Sequence, residues 1–197
     1  MLTADEALAR LSDGNRRFVA NQTVRTGFSN MDGQEPFAIV LGCSDSRVPA
    51  ELVFDQGFGD LFVIRVAGNI VAPSQVGSVE FAASRFGTPL VVVMGHSQCG
   101  AVVATLEELQ GRATTPSKSL RSIVDRVRPS VEPLLALRGG GDNGALVREA
   151  VRANVRASVN HLRHGSELLE RLIIEERLVV VGAEYSLETG VVDFFDQ

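Results

Sequence analysis

The chain has 197 residues, 45% of them hydrophobic, with a formal net charge of -5; that is one domain's length with enough apolar content for a sizeable core. Its 19 basic residues, all arginine but Lys118, are scattered, and there is no Trp and only one Tyr, so nothing resembles a phosphate-tracking stripe with stacking aromatics, and no nucleic-acid partner is expected. No apolar run reaches membrane-spanning length, and the start, MLTADEALAR, lacks the basic-then-apolar order of a secretory signal, which points to a cytoplasmic protein with no membrane partner.

In chain order, TADEALARLSDGNRRFV opens with a Thr3-to-Glu6 capping-box pattern and repeats apolar residues at Leu8, Leu11 and Phe18, predicting an amphipathic helix. A polar loop follows to Glu35, then an apolar run, Phe37 to Leu41. That run and the later ones, DLFVIRV, PLVVVMG and RLVVVGAEY, lack polar alternation, as expected of strands covered on both faces. Helical patterns lie between them in VGSVEFAASRF and AVVATLEELQ. The alternation predicts an α/β fold with a mainly parallel sheet flanked by helices. Residues 111–143, with GRATTPSK and RGGGDNG, read as loops around one or two short helices. From Gly144 to about Arg163, Val147, Val151, Val155 and Val159 share one helical face, and LETGVVDFF can turn back at Thr189-Gly190 as an antiparallel edge strand.

Both cysteines stand at strand ends. CSDSR carries Cys43, Asp45 and Arg47, and HSQCG carries His96 and Cys99; in an open α/β sheet, the carboxyl ends of strands are where ligands bind. His96 and Cys99 are spaced so that both can face one point at a strand-to-helix turn. If the first and third strands are neighbours, Cys43 reaches the same crevice. Two thiolates and an imidazole are a zinc ligand set that leaves a fourth position for water or substrate. The plainer readings are inert buried thiols for the cysteines, an ion pair or turn cap for Asp45 and Arg47, and a solvated helix face for His161 and His164.

The two motifs together, with RVAGNIV, VEFAASRFGTPLVVVMGH, VRANVRASV and YSLETGVVDFF, resemble the β-class carbonic anhydrases over nearly the whole chain. The resemblance implies a sheet in the order 2-1-3-4 with an antiparallel edge strand 5, and one domain over 1–197, of which 1–35 form an N-terminal helical arm and loop and 36–197 the α/β core. It implies a zinc-dependent lyase, one Zn2+ per chain on Cys43, His96 and Cys99, which hydrates carbon dioxide reversibly to bicarbonate and a proton by attack of zinc-bound hydroxide. Asp45 would accept a hydrogen bond from the zinc-bound water, or swing onto the metal as a fourth ligand in a closed state, and Arg47 would hold Asp45. Two thiolates donate more charge than neutral imidazoles, so activity should rise on the alkaline side.

By the same resemblance, Gln75 would contact substrate across a dimer interface, while Gly100, at a helix start, could offer it a backbone N–H. Val40 stands where some members carry the Trp of a bicarbonate pocket, which argues against that regulation here. A homodimer or dimer of dimers is implied. The alternatives are a carbonyl sulfide or carbon disulfide hydrolase on the same site, and a non-catalytic zinc-binding or thiol-sensing protein.

Overall fold

A computed structural model describes residues 2–24, 33–137 and 143–195. Most of the polar loop before Phe37 and the RGGGD stretch of the 111–143 region lie outside the described residues. Helix α1 spans Ala4–Val19, and the capping box is formed: Thr3 Oγ1 accepts from the Glu6 N–H at 3.2 Å, and the Glu6 carboxylate accepts from the Thr3 N–H at 2.7 Å. These bonds satisfy two amides that a helix start would otherwise leave open. Strand β1 (Ala38–Gly42), the short helix α2 (Ala50–Val53) and strand β2 (Leu61–Arg65) follow.

A 3-10 turn, Ala67–Asn69, leads into α3 (Pro73–Phe86), which starts with proline and ends at Gly87 in the left-handed conformation, the usual pairing of start and stop. Then come β3 (Leu90–His96), α4 (Gly100–Leu109), α5 (Lys118–Leu137), α6 (Asn143–His164), α7 (Glu167–Ile174), β4 (Val179–Tyr185) and β5 (Val192–Phe195).

The sheet order is β2-β1-β3-β4-β5. The first four strands pair in parallel, and β5 runs antiparallel to β4, as the sequence patterns and the resemblance led us to expect. Side chains alternate across the sheet. Val40, Val92, Met94 and Val181 pack under α1 and α2 with Ala7, Leu11 and Phe54; Ile39, Leu41, Val91 and Val93 pack on the other face against α3, α6 and α7. A third buried cluster joins α4, α5 and α6 to Cys43 after β1 and Ile70 after the 3-10 turn, and contains both cysteines. Val40 is fully buried.

Helix α1 is docked on its own chain. Asn15 Nδ2 donates to the carbonyls of Val53 and Gly190, and its Oδ1 accepts from the Val192 N–H at 2.9 Å. Gly14 lies so close to α2 that a Cβ there would sit 1.8 Å from the Phe54 carbonyl oxygen.

The 111–143 region departs from its expectation of short helices. It holds one 20-residue helix, α5, with Pro129 and Pro133 inside it. Val124, Val127 and Val131 are buried at helical spacing, while both prolines face solvent, where water can satisfy the carbonyls that proline leaves without a donor. Helix α7 was not singled out by the sequence patterns; Ser166 caps it by accepting from the Leu169 N–H. No helix among the described residues is long and apolar enough to cross a membrane.

Candidate metal centre

The chain passes from β1 to β2 on one side and then crosses to β3 on the other, so β1 and β3 diverge at a switch point where a crevice opens. Cys43 directly follows β1, His96 is the last residue of β3, and Cys99 is the residue at which α4 begins. All three are buried, and one ligand atom from each lies within 4.8 Å of the others. The two sulfurs are 4.0 Å apart.

His96 is fully buried, with Nδ1 2.9 Å from the Ser97 carbonyl oxygen. A carbonyl only accepts, so Nδ1 carries a proton, and in the neutral ring Nε2 keeps its lone pair; against the lowering effect of burial, the Cys43 sulfur raises the affinity of His96 for a second proton, which a metal would displace. Nε2 has no hydrogen-bond partner among the described residues, and an orphaned buried nitrogen facing two thiols is what a metal site leaves when drawn without its ion. The hydrogen bond from Cys99 lowers the pKa of the Cys43 thiol against the opposing effect of burial, with His96 and the Gly68 amide adding to it. The same bond, with burial, pushes the Cys99 thiol far up. Cys43 is thus the more acidic of the two thiols, and a cation between the sulfurs would displace the protons they hold.

Asp45 stands beside this cluster, its Oδ2 3.9 Å from His96 Nε2. Arg47 grips it with two parallel bonds, Nε to Oδ1 at 3.0 Å and a terminal nitrogen to Oδ2 at 2.8 Å, and the Arg47 amide adds a third. This side-chain pairing holds the Asp45 carboxyl well below the usual carboxylate range, despite some burial. Asp45 is ionised, fixed and able to accept.

Three supporting groups went unnoticed in the sequence. Arg65, at the end of β2, donates to the carbonyls of Cys43 and Asp45, the Gly68 N–H points at Cys43 Sγ at 3.4 Å, and Glu188 reaches across from the β4–β5 turn. The Glu188 carboxylate accepts from Ser97 Oγ and Gln98 Nε2, both at 2.8 Å, and so braces the two residues between His96 and Cys99, where Gln98 adopts a left-handed φ of 56°. Their sequence signal was their place in strings that carry the resemblance, Arg65 and Gly68 in RVAGNIV and Glu188 in YSLETGVVDFF, which gave them no individual role.

Other candidates fall as follows. Gly100 opens α4 next to Cys99, with open space where a Cβ would be. Gln75 lies in the first turn of α3 and accepts from the Ser74 hydroxyl; no described bond links it to the cluster. His161 and His164 sit exposed in the last turn of α6, outside the cluster.

The carbonic anhydrase family profile matches residues 38–192, from β1 to the start of β5. The chain belongs to the β-class carbonic anhydrases. Among curated relatives, carbonic anhydrase 2 of Mycobacterium tuberculosis is 39% identical over 91% of this chain and 87% of its own length. The carbonic anhydrase of Mycolicibacterium smegmatis is 40% identical over 93% and 89%. One of two tetrameric β-carbonic anhydrases from Sordaria macrospora superposes with a TM-score of 0.72 at 23% identity, covering 98% of this chain and 93% of that one. At that identity the likeness speaks for the β-carbonic anhydrase fold alone.

Proposed function

We propose that this carbonic anhydrase holds one zinc ion per chain on Cys43, His96 and Cys99 and hydrates carbon dioxide reversibly to bicarbonate and a proton. The observation that carries the reading is the meeting of two thiols and a buried imidazole with Nε2 unpartnered among the described residues, beside a carboxylate locked by an arginine. Two thiolates each about 2.3 Å from a tetrahedral zinc stand about 3.8 Å apart, and the sulfurs here are 4.0 Å apart. Soft sulfur donors also disfavour magnesium and calcium. Zinc would lower the pKa of water from about 15.7 towards 7, the activation that hydration needs near neutral pH.

The chain's own residues do the rest. Ionised Asp45 accepts a hydrogen bond from the attacking water and so turns a lone pair towards the carbon; Arg47 keeps both carboxylate oxygens in place while it does so. Gly100 offers its N–H to a substrate oxygen. Gln75 completes the set from a partner copy.

Asp45 could instead leave Arg47 and become the fourth ligand, closing the site; the pairing of both its oxygens with Arg47 supports the open arrangement. Partner copies are supported by the exposed apolar residues Leu52, Phe58 and Phe81 near the edge of β2, which no strand among the described residues pairs, since solvated edges flanked by such residues tend to be covered. We read the assembly as a homodimer or dimer of dimers, the chain as one domain with its buried clusters on a shared sheet, and the location as cytoplasmic.

Hydrolysis of carbonyl sulfide or carbon disulfide, and metal binding without catalysis, are not favoured, because the relatives are carbonic anhydrases and mere binding requires no locked carboxylate. Stopped-flow hydration by wild type and Asp45→Asn tests the reading. The expected result is activity in wild type and a loss of roughly 10²–10⁴-fold in the variant, the scale of a positioned proton acceptor. One zinc per chain without hydration at pH 8.5 would overturn it.

A further inference from the structure

Helix α6 buries two polar side chains, Asn154 and Ser158, among its valines, at 2% and 5% exposure. One helical turn apart, they share a face, and both donate to the 3-10 turn that follows β2: Asn154 Nδ2 to the Gly68 carbonyl at 2.8 Å and Ser158 Oγ to the Asn69 carbonyl at 3.0 Å. Gly68 is the residue whose N–H points at Cys43 Sγ. Its φ is 71°, and a Cβ there would meet the Ala101 Cβ at 2.9 Å, so the turn is pressed against α4 and admits only glycine. Asn69 beside it is also left-handed, with φ 44°. Two consecutive residues in that conformation need outside support, and the described side-chain support comes from α6.

We propose that Asn154 and Ser158 are positioning residues for the metal centre: by clamping the Gly68–Asn69 turn they aim the Gly68 amide at the Cys43 sulfur and set how much charge that thiolate gives the metal. The inference rests on Cys43 being a ligand, as proposed above. A hydrogen bond to a ligand sulfur withdraws electron density from it, and groups that orient ligands in this way matter for affinity by about 10–100-fold. An Asn on a helix between Val151 and Val155 has no packing reason to be there, because a buried amide needs its partners supplied.

The test compares wild type, Asn154→Ala, Ser158→Ala, Ser158→Thr and Val159→Ala as zinc-binding and Co2+-substituted proteins. Zinc affinity is read by chelator competition, and the thiolate-to-cobalt charge-transfer band by absorption. Asn154→Ala is expected to weaken zinc binding about tenfold or more and to move the band to lower energy, because the sulfur lone pair is no longer stabilised. Ser158→Ala should move both in the same direction, and Ser158→Thr, which keeps the hydroxyl, should restore them. Val159→Ala lowers thermal stability from the same helix without moving the band.

A normal band and normal zinc affinity in folded Asn154→Ala would overturn the clamp; should that variant not fold, an unshifted Ser158→Ala does so. Wild type that binds cobalt without any thiolate band would overturn the ligand assignment itself, and the clamp with it.

Discussion

Arg47 contributes geometry more than charge. Its side chain is 59% exposed, so its ion pair with Asp45 adds little to stability. A guanidinium fork can satisfy both carboxylate oxygens at once, while an ammonium places one point charge. Arg47→Lys should therefore fold with an unchanged melting temperature but lose roughly tenfold or more in kcat, as Asp45 gains freedom to rotate; stopped-flow kinetics beside thermal melts will show whether the two separate. The types of these residues were legible in CSDSR and HSQCG because they are local strings at strand ends. The roles of Arg65 and Glu188 were not, although both lie in strings that carry the resemblance, because no donor pattern beside them in the chain assigns them a task. They matter only through partners 22 and 91 residues away.

Among the elements, α1 and α5 show opposite sides of reading helices from sequence. Helix α1 announces itself by its cap and apolar spacing, yet its close seat on α2 depends on Gly14, which in the sequence looks only like a weak helix residue. Gly14→Ala would improve helix propensity by about 1 kcal/mol in isolation but forces a methyl into the Phe54 carbonyl. Backbone cannot yield as a side chain would, so the expected net loss is about 3 kcal/mol, a fall of about 10 °C in Tm, with amide-exchange protection lost first in Ala4–Val19. Unchanged melting would show that α1 can shift without cost. Helix α5 was obscured by Pro129 and Pro133, which argue against helix in any local reading. Burial of Val127 and Val131 against α4 and α6 outweighs the lost bonds, a tertiary gain that no window of sequence displays.

For the molecule as a whole, the three proposed ligands come from the ends of two strands and the start of a helix, the two cysteines within the third buried cluster and His96 fully buried beside them, so metal binding should couple to global stability. Removing zinc with a chelator is expected to lower Tm, and restoring free zinc to about 1,000 times Kd should return about 4 kcal/mol, or roughly 10 °C. Magnesium should restore nothing, because it favours oxygen ligands. A melt insensitive to chelation and to added zinc would contradict this coupling.

The sequence by itself determined which donor side chains stand at the strand ends, the strand runs and their alternation with helices, because residue type and short-range periodicity are properties of neighbouring positions. Strand order followed from these once the resemblance was seen. Only the tertiary structure decided that two sulfurs stand 4.0 Å apart, that the tautomer of His96 leaves Nε2 facing them, and that Asn154 holds the Gly68 turn from 86 residues away. Those are consequences of which surfaces pack together, and packing joins residues that the chain keeps far apart.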